Sequence, residues 1–236
     1  MLVCFLTGCC TPVLYLGFDQ QELHRRRAHS PSLSSEDDPC DNYADLNAGD
    51  VQFKSATRQT VTSAITIAVW VKLQSRYGIQ PILVLQGEAG ALRFELFEGH
   101  IAWRYTGTRP SLATFELLSA SPIIPEKLWT HLVVQYDAHT GRSAVFLNGV
   151  ETLKGSSNGG SLDIAWGELT TIGKYSINEA LALKVNGFID EFYIYYCSVP
   201  EMVIQRLAQK CRVEGKCSPL ESGNYSAIVA FQISVT

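Results

Sequence analysis

The chain has 236 residues, of which 46% are hydrophobic and 18% are charged, and its formal net charge is -4. This length suits one large domain with a short leader and tail, whereas two compact domains would be crowded. The 19 Lys and Arg residues are dispersed except at Arg25, Arg26 and Arg27. The acidic balance gives no general attraction for polyanions, so nucleic acid is not expected as a partner.

The chain opens with an apolar leader over residues 1–19, followed by a polar linker over residues 20–40. The leader is long enough for the core of a signal peptide, although no basic residue precedes it and no small-residue cleavage signal follows it. It reaches only the lower limit of length for a membrane span. We interpret it as an imperfect or truncated secretion signal, so a membrane would be contacted only through this anchor or through a parent protein. The arginine triplet is either a processing site or a solvated part of the linker.

Short strands separated by turn residues dominate the next part of the sequence. From Ile65 to Leu73, branched residues alternate with Thr66, Ala68, Trp70 and Lys72, which is the period of a β-strand with one apolar face. Many short strands with one convincing helix indicate an antiparallel sandwich. The further strands are predicted at 81–86, 91–97, 100–106, 113–118, 129–137, 143–147, 169–173 and 187–196, and the helix at 200–209.

Two stretches carry a family resemblance. Residues 129–149 read as two strands ending at an Asn148-Gly149 turn, which is a strong hairpin signal. Residues 187–207 read as a strand followed by a helix that begins near Pro200. In arrangement they resemble the laminin G-like branch of the concanavalin A-like jelly rolls. The matching positions are Trp129, His131, Leu132, Val133, Tyr136, Asp137, Gly141, Asn148, Gly149, Gly187, Ile189, Asp190 and Glu191.

The resemblance implies an all-β, antiparallel jelly-roll sandwich of the concanavalin A-like type with one short C-terminal helix, over residues 41–210. It also implies a non-catalytic, secreted or extracellular recognition module that binds a protein or a glycan through loops at the rim of the sandwich. Residues 211–236 form a cysteine-containing tail, which is either the start of a further module or an extra edge strand.

Four cysteines flank the predicted sandwich at Cys40, Cys197, Cys211 and Cys217. Their spacing suits disulfides better than zinc, but the sequence leaves three pairings open. The jelly-roll resemblance, in which the first and last strands lie side by side, implies the pairs Cys40–Cys197 and Cys211–Cys217. The triplet that begins at Asn224 is a candidate glycosylation site in a secreted chain.

Asp190 is the principal candidate for a metal ligand. On an alternating strand it shares a face with Phe188, Phe192 and Ile194, and a buried carboxylate is costly unless it is paired or bound to a metal. The resemblance implies one calcium ion at the rim, held by Asp190 and a second carboxylate, for which Asp50 is the candidate and Asp45 the reserve. The alternative is that Asp190 accepts backbone hydrogen bonds or pairs with an arginine.

The predicted ligand-binding pair is Trp103 and Tyr105, because aromatic rings on a polar-edged strand can stack on a sugar ring. A glycan-cleaving enzyme on the same fold is the main alternative function. It would need two carboxylates on one strand face, whereas the nearest pair, Glu95 and Glu98, has a three-residue offset that sends the side chains to opposite faces. A purely structural spacer in a larger adhesion protein is the third alternative.

Overall fold

A computed structural model describes residues 10–16, 43–55, 57–167, 169–176, 182–213 and 233–235. The strands are β1 (Leu14–Leu16), β2 (Ala44–Asp45), β3 (Val51–Phe53), β4 (Gln59–Thr62), β5 (Ala64–Leu73), β6 (Ile79–Gln86), β7 (Gly90–Phe97), β8 (His100–Gly107), β9 (Thr114–Leu118), β10 (Thr130–Asp137), β11 (Arg142–Leu147), β12 (Val150–Ser156), β13 (Leu162–Ala165), β14 (Thr170–Ile172), β15 (Lys174–Ser176), β16 (Ala182–Lys184), β17 (Gly187–Tyr195) and β18 (Ile233–Val235). One helix, α1, spans Glu201–Val213.

Two antiparallel sheets form the sandwich. The large sheet has the order β1-β17-β5-β10-β11-β12, with β2 also paired to β17, and the small sheet has the order β6-β7-β8-β9. Short ribbons, β4 with β13, β3 with β14 and β18, and β15 with β16, complete the described strands. The all-β prediction is therefore confirmed, and the crossing from β5 to β10 within one sheet reflects a sandwich rather than a simple meander.

The core lies between the two sheets because one face of each strand is apolar. From β5, the side chains of Ile65, Ile67 and Val69 enter it, and from β8 those of Trp103 and Tyr105 do so. All five are fully buried. The period-two pattern therefore predicted the inner face of β5 correctly.

The Asn148-Gly149 hairpin is confirmed in detail. Both residues have positive φ, 52° and 85°, as a type I′ turn requires. The turn joins β11 to β12, which pair in antiparallel register from Leu147 opposite Val150. The sequence thus predicted the turn, although the exposed alternating strand that follows it was not predicted.

Helix α1 covers the outer face of the large sheet. Ile204 and Leu207 are buried against Val133 and Phe146 in a second apolar cluster, separate from the core between the sheets. The acidic Glu201 lies in the first turn, where it interacts favourably with the helix dipole. The predicted helix at 200–209 is confirmed and is longer than expected. In the described part of the chain, no helix has both the length and the apolar character to cross a bilayer.

The end of the apolar leader belongs to the sheet. Strand β1 pairs antiparallel with β17, with Tyr15 opposite Tyr193, and Leu14 and Leu16 are buried in the core. Cys10, just before this strand, forms a disulfide with Cys197, with the two Cα atoms 5.9 Å apart. Residues 10–16 therefore contribute structure, which the interpretation of this segment as a secretion signal did not predict.

The predicted pair Cys40–Cys197 is wrong, because Cys197 is bonded to Cys10. The physical reason is that β1 pairs with the end of β17, whereas β2 pairs with its start at Phe188 and Ile189. Cys40, Cys217 and Asn224, together with the side chain of Cys211, lie outside the described part of the chain, so the pair Cys211–Cys217 and the glycosylation site stay predictions.

Candidate functional site

An open groove of about 640 Å³ lies where β6 meets β14 and β15. Two glycines allow these elements to approach. A Cβ on Gly87 would lie 2.4 Å from the Cβ of Ala165, and Gly173, which joins β14 to β15 with a φ of 73°, leaves no room for a Cβ beside Leu46. The residues that line the groove are Gln52, Val84, Leu85, Gln86, Ala165, Gly167, Leu169, Thr170, Thr171, Lys174, Tyr175 and Ser176.

Amides and hydroxyls give the groove its chemistry. The hydroxyl of Tyr175 donates a hydrogen bond of 2.9 Å to the Oε1 of Gln86, which orients both side chains along the groove. The hydroxyl of Thr170 is buried and has no hydrogen-bond partner among the described residues. A hydroxyl enclosed in this way is not accessible to a ligand, so the accessible polar groups of the groove come from Gln86, Tyr175 and Ser176.

Asp50 and two lysines stand at one side of the groove. Lys174 Nζ lies 2.5 Å from Asp50 Oδ2, and Lys184 Nζ lies 3.5 Å from Asp50 Oδ1. Burial alone would raise the pKa of Asp50, but the hydrogen bond and charge of Lys174, with the charge of Lys184, lower that pKa below its usual value. The ionised carboxylate therefore holds the β15–β16 ribbon against the start of β3.

We expect Asp50→Asn to lower the free energy of unfolding by up to about 1 kcal/mol at neutral pH. Because the folded pKa is depressed, this stabilisation is present above the unfolded pKa of about 3.9 and is lost as the pH falls through the lower folded value. Urea denaturation at several pH values measures the difference. The exposed Asp45→Asn is the matched control, and a wild-type to Asp50→Asn difference that stays constant down to pH 2 would contradict the assignment.

A row of charged residues crosses the outer face of the small sheet beside the groove. Glu95 Oε1 lies 3.3 Å from Arg93 Nη1, and Glu95 Oε2 lies 3.4 Å from Arg104 Nη2. Arg104 Nη1 in turn lies 3.4 Å from Glu116 Oε1. The Arg93 guanidinium also stands 5.5 Å from the centre of the Tyr175 ring, so the charged row and the groove form one continuous surface.

The structure places Asp190 differently from the prediction. A β-bulge interrupts the pairing of β17 with β5 between Asp190 and Tyr193, and Glu191 has a positive φ of 48°. Asp190 stands opposite Trp70, and opposed residues share one face of a sheet. Trp70 packs outside the central core with Trp129. The expectation that Asp190 shares a face with Phe192 and Ile194 is therefore wrong, because both of those residues enter the core between the sheets.

Glu191 is held by two tyrosines on the same outer face. Its carboxylate accepts a hydrogen bond of 2.7 Å from the hydroxyl of Tyr15 and a further one from the hydroxyl of Tyr193. Burial, together with the negative charge of Glu191, raises the pKa of Tyr193, so this hydroxyl stays protonated and remains a donor. The bulge thus ties β17 to the N-terminal strand, a role that no sequence pattern indicated.

Two observations concern the calcium site expected from Asp190 and Asp50. Asp50 contacts Lys174 and Lys184, whose ammonium groups compete with a cation. Within the described ranges, no group of three or more His, Cys, Asp or Glu side chains is close enough to hold a metal ion, whereas calcium takes six to eight oxygen ligands. Calcium dependence stays a prediction.

Trp103 and Tyr105 do not form a ligand platform. Both are fully buried, and their polar atoms are used inside the protein. Trp103 Nε1 donates to the backbone oxygen of Gln135 at 3.1 Å, and the Tyr105 hydroxyl donates to the backbone oxygen of Asp163 at 3.2 Å. The alternation with Arg104 was real, but the aromatic residues occupy the inner face of β8. That prediction is wrong.

The two antiparallel sheets define a jelly-roll domain. The Laminin_G_3 family, described as the concanavalin A-like lectin/glucanases superfamily, matches residues 45–204. The chain belongs to this family, as the sequence resemblance predicted. No curated protein matches the sequence.

Solved structures show the same fold at low sequence identity. The native heptameric SAP-like pentraxin from Limulus polyphemus is similar with a TM-score of 0.50 and 13% identity, over 68% of this chain and 75% of the pentraxin. The CBM40 of the Ruminococcus gnavus IT-sialidase, bound to α2,3-sialyllactose, has a TM-score of 0.51 and 12% identity, over 62% and 83%. The binding domain of botulinum neurotoxin serotype G has a TM-score of 0.51 and 10% identity, over 84% of this chain and 50% of that domain.

Proposed function

We propose that this domain is a non-catalytic recognition module outside the cell that binds a glycan or a protein through the groove beside β6. The observation that carries the proposal is the concentration of amide and hydroxyl groups around the half-buried ring of Tyr175. Ligand sites combine a shaped surface with a few placed polar groups that fix orientation. A saccharide, with hydroxyls around its edge and an apolar ring face, is the ligand that this lining suits best.

The extracellular setting is supported by the Cys10–Cys197 disulfide, since disulfides form and persist in oxidising compartments. The similar sialidase module, solved with α2,3-sialyllactose, supplies a first probe, although its likeness to this chain concerns the fold alone. The fold hosts both binding and catalysis, so the function has to be argued from the site.

The carboxylates considered for catalysis are placed unfavourably for it. Glu95 is almost fully buried and contacts two arginines. Glu98 lies in the turn after β7 with a φ of 49°. Glycoside cleavage requires an acid and a second carboxylate facing one bond. This arrangement supports binding without turnover.

Replacing Tyr175 with alanine is expected to weaken glycan binding about tenfold or more, equivalent to roughly 1.4 kcal/mol, because the ring and its bond to Gln86 shape the groove. Affinities for lactose and α2,3-sialyllactose, measured by isothermal titration calorimetry, provide the test, preceded by a wider glycan array. Tyr77→Ala is the matched control, since Tyr77 is 86% exposed and lies in the turn between β5 and β6, outside the groove lining. Tyr175→Phe separates the ring from its hydroxyl.

Three results would count against the proposal. Equal affinities in the Tyr175→Ala and Tyr77→Ala proteins would remove the groove as the site. Hydrolysis of β-glucan or chitin fragments, abolished by Glu95→Gln or Glu98→Gln, would make the protein an enzyme. Absence of any saturable glycan or protein ligand would leave a structural spacer.

A further inference from the structure

Two arginines stand side by side on the outer face of the small sheet. Arg93 on β7 is directly opposite Arg104 on β8, and like charges in this position are destabilising. Both side chains are partly exposed, at 30% and 39%. Glu95 lies between the two guanidinium groups and offsets part of their repulsion.

Two carboxylates make three contacts with this arginine pair. Glu95 bridges the two guanidinium groups at 3.3 Å and 3.4 Å, and Glu116 reaches Arg104 at 3.4 Å. Charge-assisted bonds between these groups are usually about 2.7–2.9 Å long. The pair therefore has N–H donors in excess of what its two glutamates accept.

The arginine pair is continuous with the groove. Val84, which lines the groove, is the cross-strand neighbour of Arg93, and the Arg93 guanidinium lies beside the Tyr175 ring. Arg93, Arg104 and Lys174 place three cationic side chains along this surface, although the net charge of the whole chain is -4.

We propose that the groove and the arginine pair together bind an acidic saccharide, with its carboxylate or sulfate group on Arg93 and Arg104 and its sugar ring along Tyr175. The inference rests on the proposed function and adds the ligand class. Guanidinium groups match the planar, bidentate geometry of carboxylate and the tetrahedral oxygens of sulfate. The anion would accept hydrogen bonds from Arg104 N–H groups, one of which contacts Glu116 in the free protein. Glu116 therefore competes with the ligand.

The test compares three ligands that share one backbone, lactose, α2,3-sialyllactose and 3′-sulfated lactose, by isothermal titration calorimetry. The wild-type protein is expected to bind at least one acidic form about tenfold more tightly than lactose, with an affinity that falls as salt is added. Arg104→Gln is expected to reduce that affinity to the level of lactose. Glu116→Gln is expected to raise it several-fold, and because Glu116 is 61% exposed this substitution leaves the fold intact.

The controls come from an ion pair of the same kind elsewhere on the surface, Arg76 with Glu126. Arg76→Gln and Glu126→Gln make the same changes in net charge and are expected to leave all three affinities unchanged. If Arg104→Gln and Arg76→Gln changed the affinity for the acidic sugars equally, the effect would come from net charge alone. That result would overturn the inference.

Failure of this inference is distinguishable from failure of the proposed function. One result would be that the wild-type protein binds lactose and both acidic forms with equal affinity and that Tyr175→Ala loses this binding. It would overturn the inference of an acidic saccharide but would keep the groove as the binding site. An acidic preference that neither Arg104→Gln nor Glu116→Gln alters would also overturn it. If none of the three sugars binds, the inference is also overturned. The proposed function is then tested by comparing the binding of other ligands to the wild-type and Tyr175→Ala proteins.

Discussion

Serine in place of Cys10 is expected to lower the free energy of unfolding by roughly 4–5 kcal/mol. The disulfide joins residues 187 positions apart, so it removes a large loop-closure entropy from the unfolded chain. It also holds β1, whose Leu14 and Leu16 are buried in the core, at the edge of the large sheet. Urea denaturation of the oxidised proteins measures the loss.

Cys197→Ser and the double variant are the controls for this prediction. All three variants are expected to unfold at the same urea concentration, because each removes one and the same bond. Peptide mapping under non-reducing conditions is expected to recover a peptide that contains Cys10 and Cys197. A linked peptide of Cys40 with Cys197 would contradict the structure and restore the pairing expected from the sequence.

Truncating Trp103 to alanine is expected to cost about 3–5 kcal/mol of stability, as large deletions in a packed core do. The Trp103 ring is fully buried and packs against Phe94 and Phe115, and its Nε1 satisfies the backbone oxygen of Gln135. Chemical denaturation followed by circular dichroism gives the magnitude. Trp103→Phe, which keeps most of the buried area, is expected to lose less.

The binding readout separates a core role from a ligand-binding role. If Trp103 only packs the core, the folded fraction of Trp103→Phe binds sugars as the wild-type protein does, whereas Tyr175→Ala does not. Loss of binding in Trp103→Phe with little loss of stability would revive the platform predicted from the sequence.

The sequence predicted the long strands of both sheets and the hairpin because those depend on local signals, whereas short or exposed strands such as β4 and β12 were not predicted. The alternation in β5 and the Asn148-Gly149 turn are each encoded within a few residues. Alternation alone, however, does not say which face of a strand is buried. On β8 it separated Trp103 and Tyr105 from Arg104 correctly, but the assignment of inside and outside required the second sheet.

The remaining errors come from features that no local pattern encodes. The bulge at Asp190 and Glu191 shifts the register of β17. Beyond the bulge, the two-residue alternation of side chains therefore no longer predicts which face of the sheet a residue occupies. The groove joins Gln52, Gln86 and Tyr175, which are far apart in sequence. The pairing of residues 14–16 with β17 is a contact between distant parts of the chain, so the composition of the apolar leader did not predict it.

The covalent link between Cys10 and Cys197 also determines what proteolysis within residues 17–42 would do. A protease that nicked the arginine triplet at residues 25–27 would produce two polypeptides that stay joined, because the smaller piece carries Cys10 and a strand hydrogen-bonded to β17. Such a molecule would migrate as a single band on a denaturing gel until a thiol reductant was added.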